Sequence, residues 1–208
     1  MRTVKTPDVR RAEILAVANN LFQSKGYSKT AVEEIVRQAG IAKGTFYYYF
    51  KSKEDILEAL TKQLVDEMAI KSKQIADSND RNAIEKIVSI ISQQNRLRNE
   101  KQNIVDSMHL PENRELHDRI NIKIIKILGP ILAQVIEQGN KQQLFHVDDP
   151  LSTIQFILAG SLFLFGESVF NWTKQEELAR KQAMLVLIER TLGAKPGAMM
   201  MLLEQCHN

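Results

Sequence analysis

Residues 30–57 read TAVEEIVRQAGIAKGTFYYYFKSKEDIL, and this stretch decides the predicted fold. Its first part predicts a short helix, because a capping-box pattern of Thr30 and Glu33 accompanies apolar residues at helical spacing, namely Val32, Ile35, Val36 and Ala39. Gly40 supplies a turn, and a second helix is predicted from Lys43 to Phe50. Two short helices joined by a tight turn form a helix-turn-helix, whose second helix enters the major groove of DNA.

The second helix of this pair is densely aromatic. Phe46 and Phe50 lie one turn apart and can share a buried face, whereas the three tyrosines between them cannot all face inward. Tyr47 and Tyr49 are therefore predicted to point elsewhere, with hydroxyls that can hydrogen-bond to phosphate.

Positive charge gathers around this motif. Residues 1–53 carry ten Lys and Arg against four Asp and Glu, a net charge of +6, whereas residues 54–208 have a net charge of −3. Lys43 and Gly44 stand at a helix start, where backbone can approach phosphate closely, and Lys51 and Lys53 flank the start of the next helix. Residues 1–53 are thus basic and the rest of the chain is mildly acidic. This difference indicates that only residues 1–53 face a polyanion.

The rest of the chain reads as helix throughout, without strand-type alternation or an internal repeat. A long helix is predicted from Ser52 to about Asp77, and two final long helices over about 150–170 and 174–193. We therefore predict an all-α protein with a three-helix helix-turn-helix domain at residues 1–51 and a larger helical body at residues 52–208.

Other features of the sequence exclude several kinds of site. The apolar run at 156–165 is too short to span a membrane, which takes roughly 20 residues. The single cysteine, Cys206, fits a reducing cytosol, and we expect a cytoplasmic protein. The spacings of His109, His117 and His146 match no zinc pattern, and no Gly-x-Ser-x-Gly or phosphate-loop motif is present. The sequence thus predicts no metal, no cofactor and no enzymatic activity.

The stretch from about Arg10 to Leu60 resembles, without a gap, the N-terminal DNA-binding domain of the TetR family of regulators. The remainder resembles the family in size, in all-helical character and in small marks such as Gly139 and Asp149-Pro150. The resemblance implies a homodimer with a three-helix DNA-binding domain and a ligand-binding body whose last two long helices build the dimer interface.

The resemblance also implies particular DNA contacts. In the family, residues at the positions of Thr45, Tyr47, Tyr49 and Lys53 contact DNA, and Lys43 and Gly44 occupy the variable start of the recognition helix. Many relatives have serine, the N-cap of that helix, where Ala42 stands. The predicted DNA-contacting residues are Thr30, Lys43, Gly44, Thr45, Tyr47, Tyr48, Tyr49 and Lys53.

Two further surfaces are predicted in the body. The dimer interface is predicted from apolar faces of the last two helices, at Ile154, Ile157, Leu158, Leu162, Met184, Leu187, Ile188 and Thr191. An apolar effector pocket is predicted from Met108, His109, Phe163, Phe165, Phe170 and Trp172. Each aromatic residue in that second set is open to another interpretation, as part of an ordinary core.

Together these features predict a ligand-responsive repressor that binds a near-palindromic operator as a dimer. A small, largely apolar effector is expected to release it from the DNA. Two other classes stay open at this point: an enzyme that carries a DNA-binding domain, and an interaction module whose body binds a protein.

Overall fold

The computed structural model describes residues 6–166, 170 and 172–199, so Cys206 lies outside the described residues. Within these ranges every regular element is a helix, which confirms the predicted all-α fold. None of the described helices combines the length and apolarity that crossing a membrane requires. The elements are α1 (Pro7–Lys25), α2 (Val32–Gln38), α3 (Lys43–Tyr49), α4 (Lys53–Asp77), α5 (Ala83–Glu100), α6 (Gln102–Met108), a short 3₁₀ helix (Pro111–Asn113), α7 (Arg114–Lys141), α8 (Pro150–Gly166) and α9 (Lys174–Leu192).

The chain folds into two compact units whose boundary falls inside α4. The first unit holds residues up to Leu64 together with Glu100–Asp118, and the second holds Val65–Asn99 and the described residues from Arg119 onward. This division differs from the predicted boundary between residues 51 and 52. The reason is that the first half of α4 contributes buried apolar residues to the first unit, namely Ile56, Leu57, Leu60 and Leu64.

Local sequence explains how the first unit begins. Pro7 is the first residue of α1. Proline suits this position because the backbone N–H that it lacks would have no acceptor within the helix. Gly26 ends the helix with a φ of +86° and an N–H that donates to the carbonyl oxygen of Phe22. The buried face of α1 consists of Ile14, Leu15, Ala18, Leu21 and Phe22, the residues at apolar helical spacing.

The capping box predicted at Thr30 and Glu33 is wrong. Helix α2 begins at Val32 after Ala31, and no side chain caps its first turn. Thr30 is buried instead, and its hydroxyl donates to the carbonyl oxygen of Gly26 at 2.8 Å. The turn between α1 and α2 thus uses this hydroxyl to satisfy a backbone carbonyl.

Other helix ends follow sequence rules more closely. Ser52 caps the start of α4, because its Oγ accepts a hydrogen bond from the N–H of Asp55 at 3.2 Å. Thr173 and Glu176 form a full capping box at the start of α9, a local signal that our sequence analysis did not use. Gly193 then ends α9 with a left-handed φ of +62°.

In the second unit, α4 and α7 run side by side in the same direction. Lys123 donates to Asp66 at 3.3 Å, and Gln134 donates to Asp77 at 3.0 Å, so the sequence separation is the same at both contacts. The buried Lys86 donates to a backbone carbonyl in the last turn of α4. The C-terminal half of α4 is therefore held within the second unit.

The core of the second unit contains a close approach between α7 and the loop that follows it. The ring of Phe145 is buried against the backbone of Gly139. A Cβ atom added to Gly139 would lie 2.5 Å from Cε2 of that ring, closer than real contacts allow. Glycine at position 139 is therefore required by packing.

Candidate nucleic-acid interface

Helix α3, the second helix of the helix-turn-helix, has the two faces predicted from its sequence. Phe46 and Phe50 are buried, whereas Tyr47 is exposed and Tyr48 exposes 77% of its surface. The ring of Phe46 meets that of Tyr47 edge to face, with centroids 5.3 Å apart. Phe46 and Phe50 therefore fix α3 to the core, and Tyr47 and Tyr48 lie on its solvent-exposed face.

The start of α3 is open to close approach. Ala42 is the N-cap residue and makes no side-chain cap hydrogen bond, as expected from the absence of serine there. A Cβ atom added to Gly44 would meet no other atom within 4 Å. A large partner such as DNA could therefore come near the backbone of this turn.

Lys43, at the first position of α3, is paired with a carboxylate of α2. Its Nζ atom lies 2.9 Å from Oε1 of Glu33, and the two side chains are 59% and 67% exposed. The hydrogen bond from Lys43 lowers the pKa of Glu33, and the same bond raises the pKa of Lys43. Our sequence analysis missed this pair, because the two residues are not neighbours on one helix.

The remaining predicted DNA contacts differ in exposure. Thr45 and Tyr49 are half-buried and lie one turn apart on α3. Thr30 has almost no exposed surface and its hydroxyl is engaged, so the geometry opposes a direct contact with DNA. Its observed role is to hold the turn that precedes α2.

Lys53 contributes to a cluster centred on Tyr27, which the sequence analysis did not identify as a functional position. The Nζ atom of Lys53 donates to the carbonyl oxygen of Tyr27 at 2.9 Å, and the phenol of Tyr27 donates to Glu54 at 3.1 Å. The ring of Tyr27 also packs against Phe22, with centroids 5.1 Å apart. Burial, and then the negative charge of Glu54, raise the pKa of Tyr27. This cluster fastens the turn between α1 and α2 to the start of α4.

The residues predicted to line an effector pocket fall into both units. Met108 and His109 belong to the first unit, and the four aromatic residues belong to the second. Those four form one contact chain: Phe163 meets Phe170, Phe170 stacks on Trp172 at 4.9 Å, and Trp172 meets Phe165. Among the described residues, no group of three His, Cys, Asp or Glu side chains could hold a metal ion.

The residues predicted for the dimer interface divide between core and surface. Ile154 belongs to the buried core of the second unit, and so is not free to contact a partner. Leu187 exposes 56% of its surface on α9. Three other members pack against that core, namely Ile157, Leu158 and Ile188. Leu162 and Met184 are half-buried, and Thr191 is exposed.

An exposed apolar face on α8 was only partly identified from the sequence. Phe156 exposes 80% of its surface, and Phe163, two turns further along α8, is also exposed on the same side. Val186 is exposed on α9 next to Leu187. The sequence analysis missed Phe156, because the run 156–165 is apolar all round and its periodicity selects no face.

Comparison with known proteins covers both units of the chain. Residues 14–60 match the family described as "Bacterial regulatory proteins, tetR family", and residues 91–187 match "Tetracyclin repressor-like, C-terminal domain". The chain belongs to the TetR family. The resemblance seen between Arg10 and Leu60 is thereby confirmed and extended into the body.

Relatives of this TetR-family chain are transcriptional regulators. The "Fatty acid metabolism regulator protein" of Bacillus subtilis (strain 168) is 36% identical over 138 residues, which are 61% of this chain and 68% of that protein. The transcriptional repressor KstR2 of Mycolicibacterium smegmatis is 36% identical over 76 residues, 36% of this chain and 37% of that protein. The chain thus spans only about a third of the second relative.

Solved structures agree on the TetR fold. The RolR complex with resorcinol has a TM-score of 0.63 at 20% identity, covering 95% of this chain and 93% of that one. A gamma-butyrolactone receptor has a TM-score of 0.56 at 18% identity, covering 96% of both chains. The family assignment makes the protein a DNA-binding transcriptional regulator and sets aside the enzyme alternative.

Proposed function

We propose that this TetR-family regulator is a repressor that binds a near-palindromic operator as a homodimer and leaves it when a small, largely apolar effector binds. The observation that carries the proposal is the division of α3 into a buried phenylalanine face and an exposed face with tyrosines and Lys43. An exposed face of this composition, in a part of the chain with a net charge of +6, suits a groove lined by phosphate.

DNA binding is assigned to the first unit, with α3 in the major groove. Residues at the start of a recognition helix contact base edges, which gives that role to Lys43 and Thr45, while Gly44 lets DNA approach the backbone closely. Tyr47, Tyr48 and Tyr49 supply hydroxyls for phosphate or base edges, and Lys53 supplies charge at the start of α4. Thr30 acts indirectly, through the turn that it holds.

Dimerisation is assigned to the second unit, through α8 and α9. Phe156, Val186 and Leu187 leave apolar side chains exposed in the single chain. Exposed apolar patches mark interaction sites in otherwise polar surfaces. A two-fold axis through this face would pair two copies of α3, and each would then read one half of a palindrome.

Effector binding is also assigned to the second unit. The name of the Bacillus subtilis relative, a regulator of fatty acid metabolism, supports an organic, largely apolar ligand. The contact chain from Phe163 to Trp172 is the aromatic surface proposed to meet it. Linkage requires the effector to weaken DNA binding by the factor by which DNA weakens effector binding, typically about 5- to 150-fold.

Selection from a random pool of DNA duplexes tests the proposal. Wild-type protein should enrich an inverted repeat whose half-sites lie about 10–10.5 base pairs apart, or a multiple of that distance. Thr45→Ala should lose the enrichment while keeping the circular dichroism spectrum and melting temperature of wild type. Enrichment of no sequence, or of a single asymmetric site, would overturn the proposed mode of DNA binding.

Compounds that co-purify from the native host test the effector. Operator affinity is measured on ligand-free protein before and after the extracted compound is added back. A fall within the range above supports an effector role, and equal affinities show that the compound is not an effector.

A further inference from the structure

We propose that Glu33 is a specificity-determining residue, whose carboxylate holds Lys43 and so prevents it from binding whichever phosphate lies within reach. This inference rests on the proposed use of α3 as the recognition helix. It goes further by giving an acidic residue on α2 a part in discriminating the operator from other DNA.

The geometry places this acidic residue on the surface that would face DNA. Oε1 of Glu33 lies 2.9 Å from Nζ of Lys43, which is the first residue of α3. Lys43 and Tyr47 are four residues apart, and so lie on the same side of that helix. A carboxylate bound to Lys43 therefore lies beside the exposed tyrosines.

Holding α2 against α3 is a task for other residues. Ile35 on α2 and Phe46 on α3 are fully buried, so the apolar core of the first unit already holds both helices. The pair of Glu33 and Lys43 is mostly exposed to water, where an ion pair adds little to stability. The main effect of the Glu33–Lys43 pair is therefore to reduce the positive charge on the exposed face of α3.

The neighbouring acid, Glu34, has different partners. It pairs with Lys25 and, at 3.8 Å, with Arg37, and its side chain is less exposed than that of Glu33. Glu33 and Glu34 therefore carry the same charge on adjacent positions of α2, but only Glu33 is bonded to the recognition helix. This difference makes Glu34 a matched control.

The pair affects operator and random DNA differently. A free lysine neutralises any phosphate and releases its counterions, which is the sequence-independent part of DNA affinity. While Glu33 holds Lys43, that contribution is largely withheld. At the operator, the acceptors O6 and N7 of a guanine can replace the carboxylate, and Lys43 then makes a contact that depends on sequence.

The experiment compares wild type with Glu33→Gln on two labelled duplexes, the most enriched duplex from the selection and a shuffled duplex of equal composition. The variant should bind the shuffled duplex more tightly, and the ratio of operator to shuffled affinity should fall. Its log–log salt slope on the shuffled duplex should steepen by about 0.9 per subunit. For a dimer, the advantage of the variant should therefore shrink about tenfold between 50 and 200 mM salt.

Two further variants isolate the role of Lys43. Glu34→Gln, with the same loss of charge, should leave the salt slope unchanged. In a Lys43→Gln background, Glu33→Gln should no longer steepen it. Thermal melting and circular dichroism confirm that each variant is folded.

Several outcomes would overturn the inference. These are a salt slope for Glu33→Gln equal to that of wild type, and a steeper slope that persists in the Lys43→Gln background. Loss of operator binding with unchanged shuffled binding would instead show that Glu33 reads a base directly. If the selection enriches no sequence, the proposed function fails, but binding to the shuffled duplex still tests the role of Glu33 toward Lys43. If wild type binds neither duplex, the proposed function and the inference about Glu33 are both overturned.

Discussion

The ammonium group of Lys53 lies 4.1 Å from the centroid of the Tyr27 ring while it donates to the carbonyl oxygen of the same residue. One side chain at the start of α4 thus holds both the ring and the backbone of the turn between α1 and α2. Lys53→Ala should lower the free energy of unfolding by about 1–2 kcal/mol, since it removes a charged hydrogen bond and a cation–π contact. Urea unfolding measures the change, with exposed Lys51 replaced by alanine as the control.

Salt dependence separates this structural role from a contact with DNA. If Lys53 also neutralises a phosphate, Lys53→Ala should flatten the log–log salt slope of binding by about 0.9 per subunit. An unchanged slope would remove Lys53 from the interface, and an unchanged free energy of unfolding would contradict the role in the turn.

The two faces of α3 predict opposite effects of neighbouring substitutions. Phe46→Ala should cost about 3–5 kcal/mol, because it deletes a fully buried aromatic ring. Tyr47→Ala should melt near the wild-type temperature and yet lose specific DNA binding. Thermal melting and a binding titration on the same preparations check both. Normal binding and melting by Phe46→Ala would show that the faces are wrongly assigned.

Alkaline pH should reveal the environment of Tyr27. Its pKa is raised by burial and by Glu54, so above about pH 10 the unfolded chain releases the proton while the folded chain keeps it. Stability contributed by the Tyr27 phenol is therefore present below that pH and declines as the pH rises. The free energy of unfolding of wild type minus that of Tyr27→Phe should fall between pH 9 and 11 in urea titrations. A constant difference would contradict the raised pKa.

Two glycine positions offer a matched pair of substitutions in helices. Gly139→Ala should destabilise by about 1–3 kcal/mol, because the added methyl group overlaps the ring of Phe145. Gly44→Ala should stabilise by about 0.5–1 kcal/mol, because its site is open and alanine favours helix. Urea unfolding distinguishes the two, and equal effects would rule out the close packing at Gly139.

Oligomeric state tests the apolar face. Leu187→Glu should give folded monomers, since the residue is 56% exposed in the single chain and would bury its charge only in a dimer. Ile122→Glu, on α7 and 54% exposed, is the control and should remain dimeric. Light scattering coupled to size-exclusion chromatography gives the mass. Leu187→Glu monomers that kept full operator affinity would exclude both the interface and the two-fold arrangement.

The sequence predicted those parts of the molecule that depend on local spacing. The buried face of α3 follows from helical periodicity, because Phe46 and Phe50 lie one turn apart and can face the core together. Thr30 shows where a local rule fails. Its capping pattern competes with the carbonyl of Gly26, and the tertiary turn decides the outcome.

Contacts between distant parts of the chain were beyond the reach of these rules. Asn103 donates to Asn19, 84 residues away, and nothing in either neighbourhood predicts that α6 joins the first unit. In α8 the difficulty is of another kind. Apolar residues surround the helix, so Ile154 and Phe156 look equivalent in sequence although one is buried and the other exposed.

The first unit is built from two segments that are separated in the chain, and this has a consequence for protein synthesis. Its last segment ends at Asp118, 54 residues after Leu64, and a ribosome working at about 5–20 residues per second needs about 3–11 s to make that interval. Until residue 108 is made, α1 lacks the complete α6, which contacts it in the finished protein. A message cut short before codon 102 would therefore yield an N-terminal fragment in which α1 lacks α6, and such incomplete packing favours proteolysis.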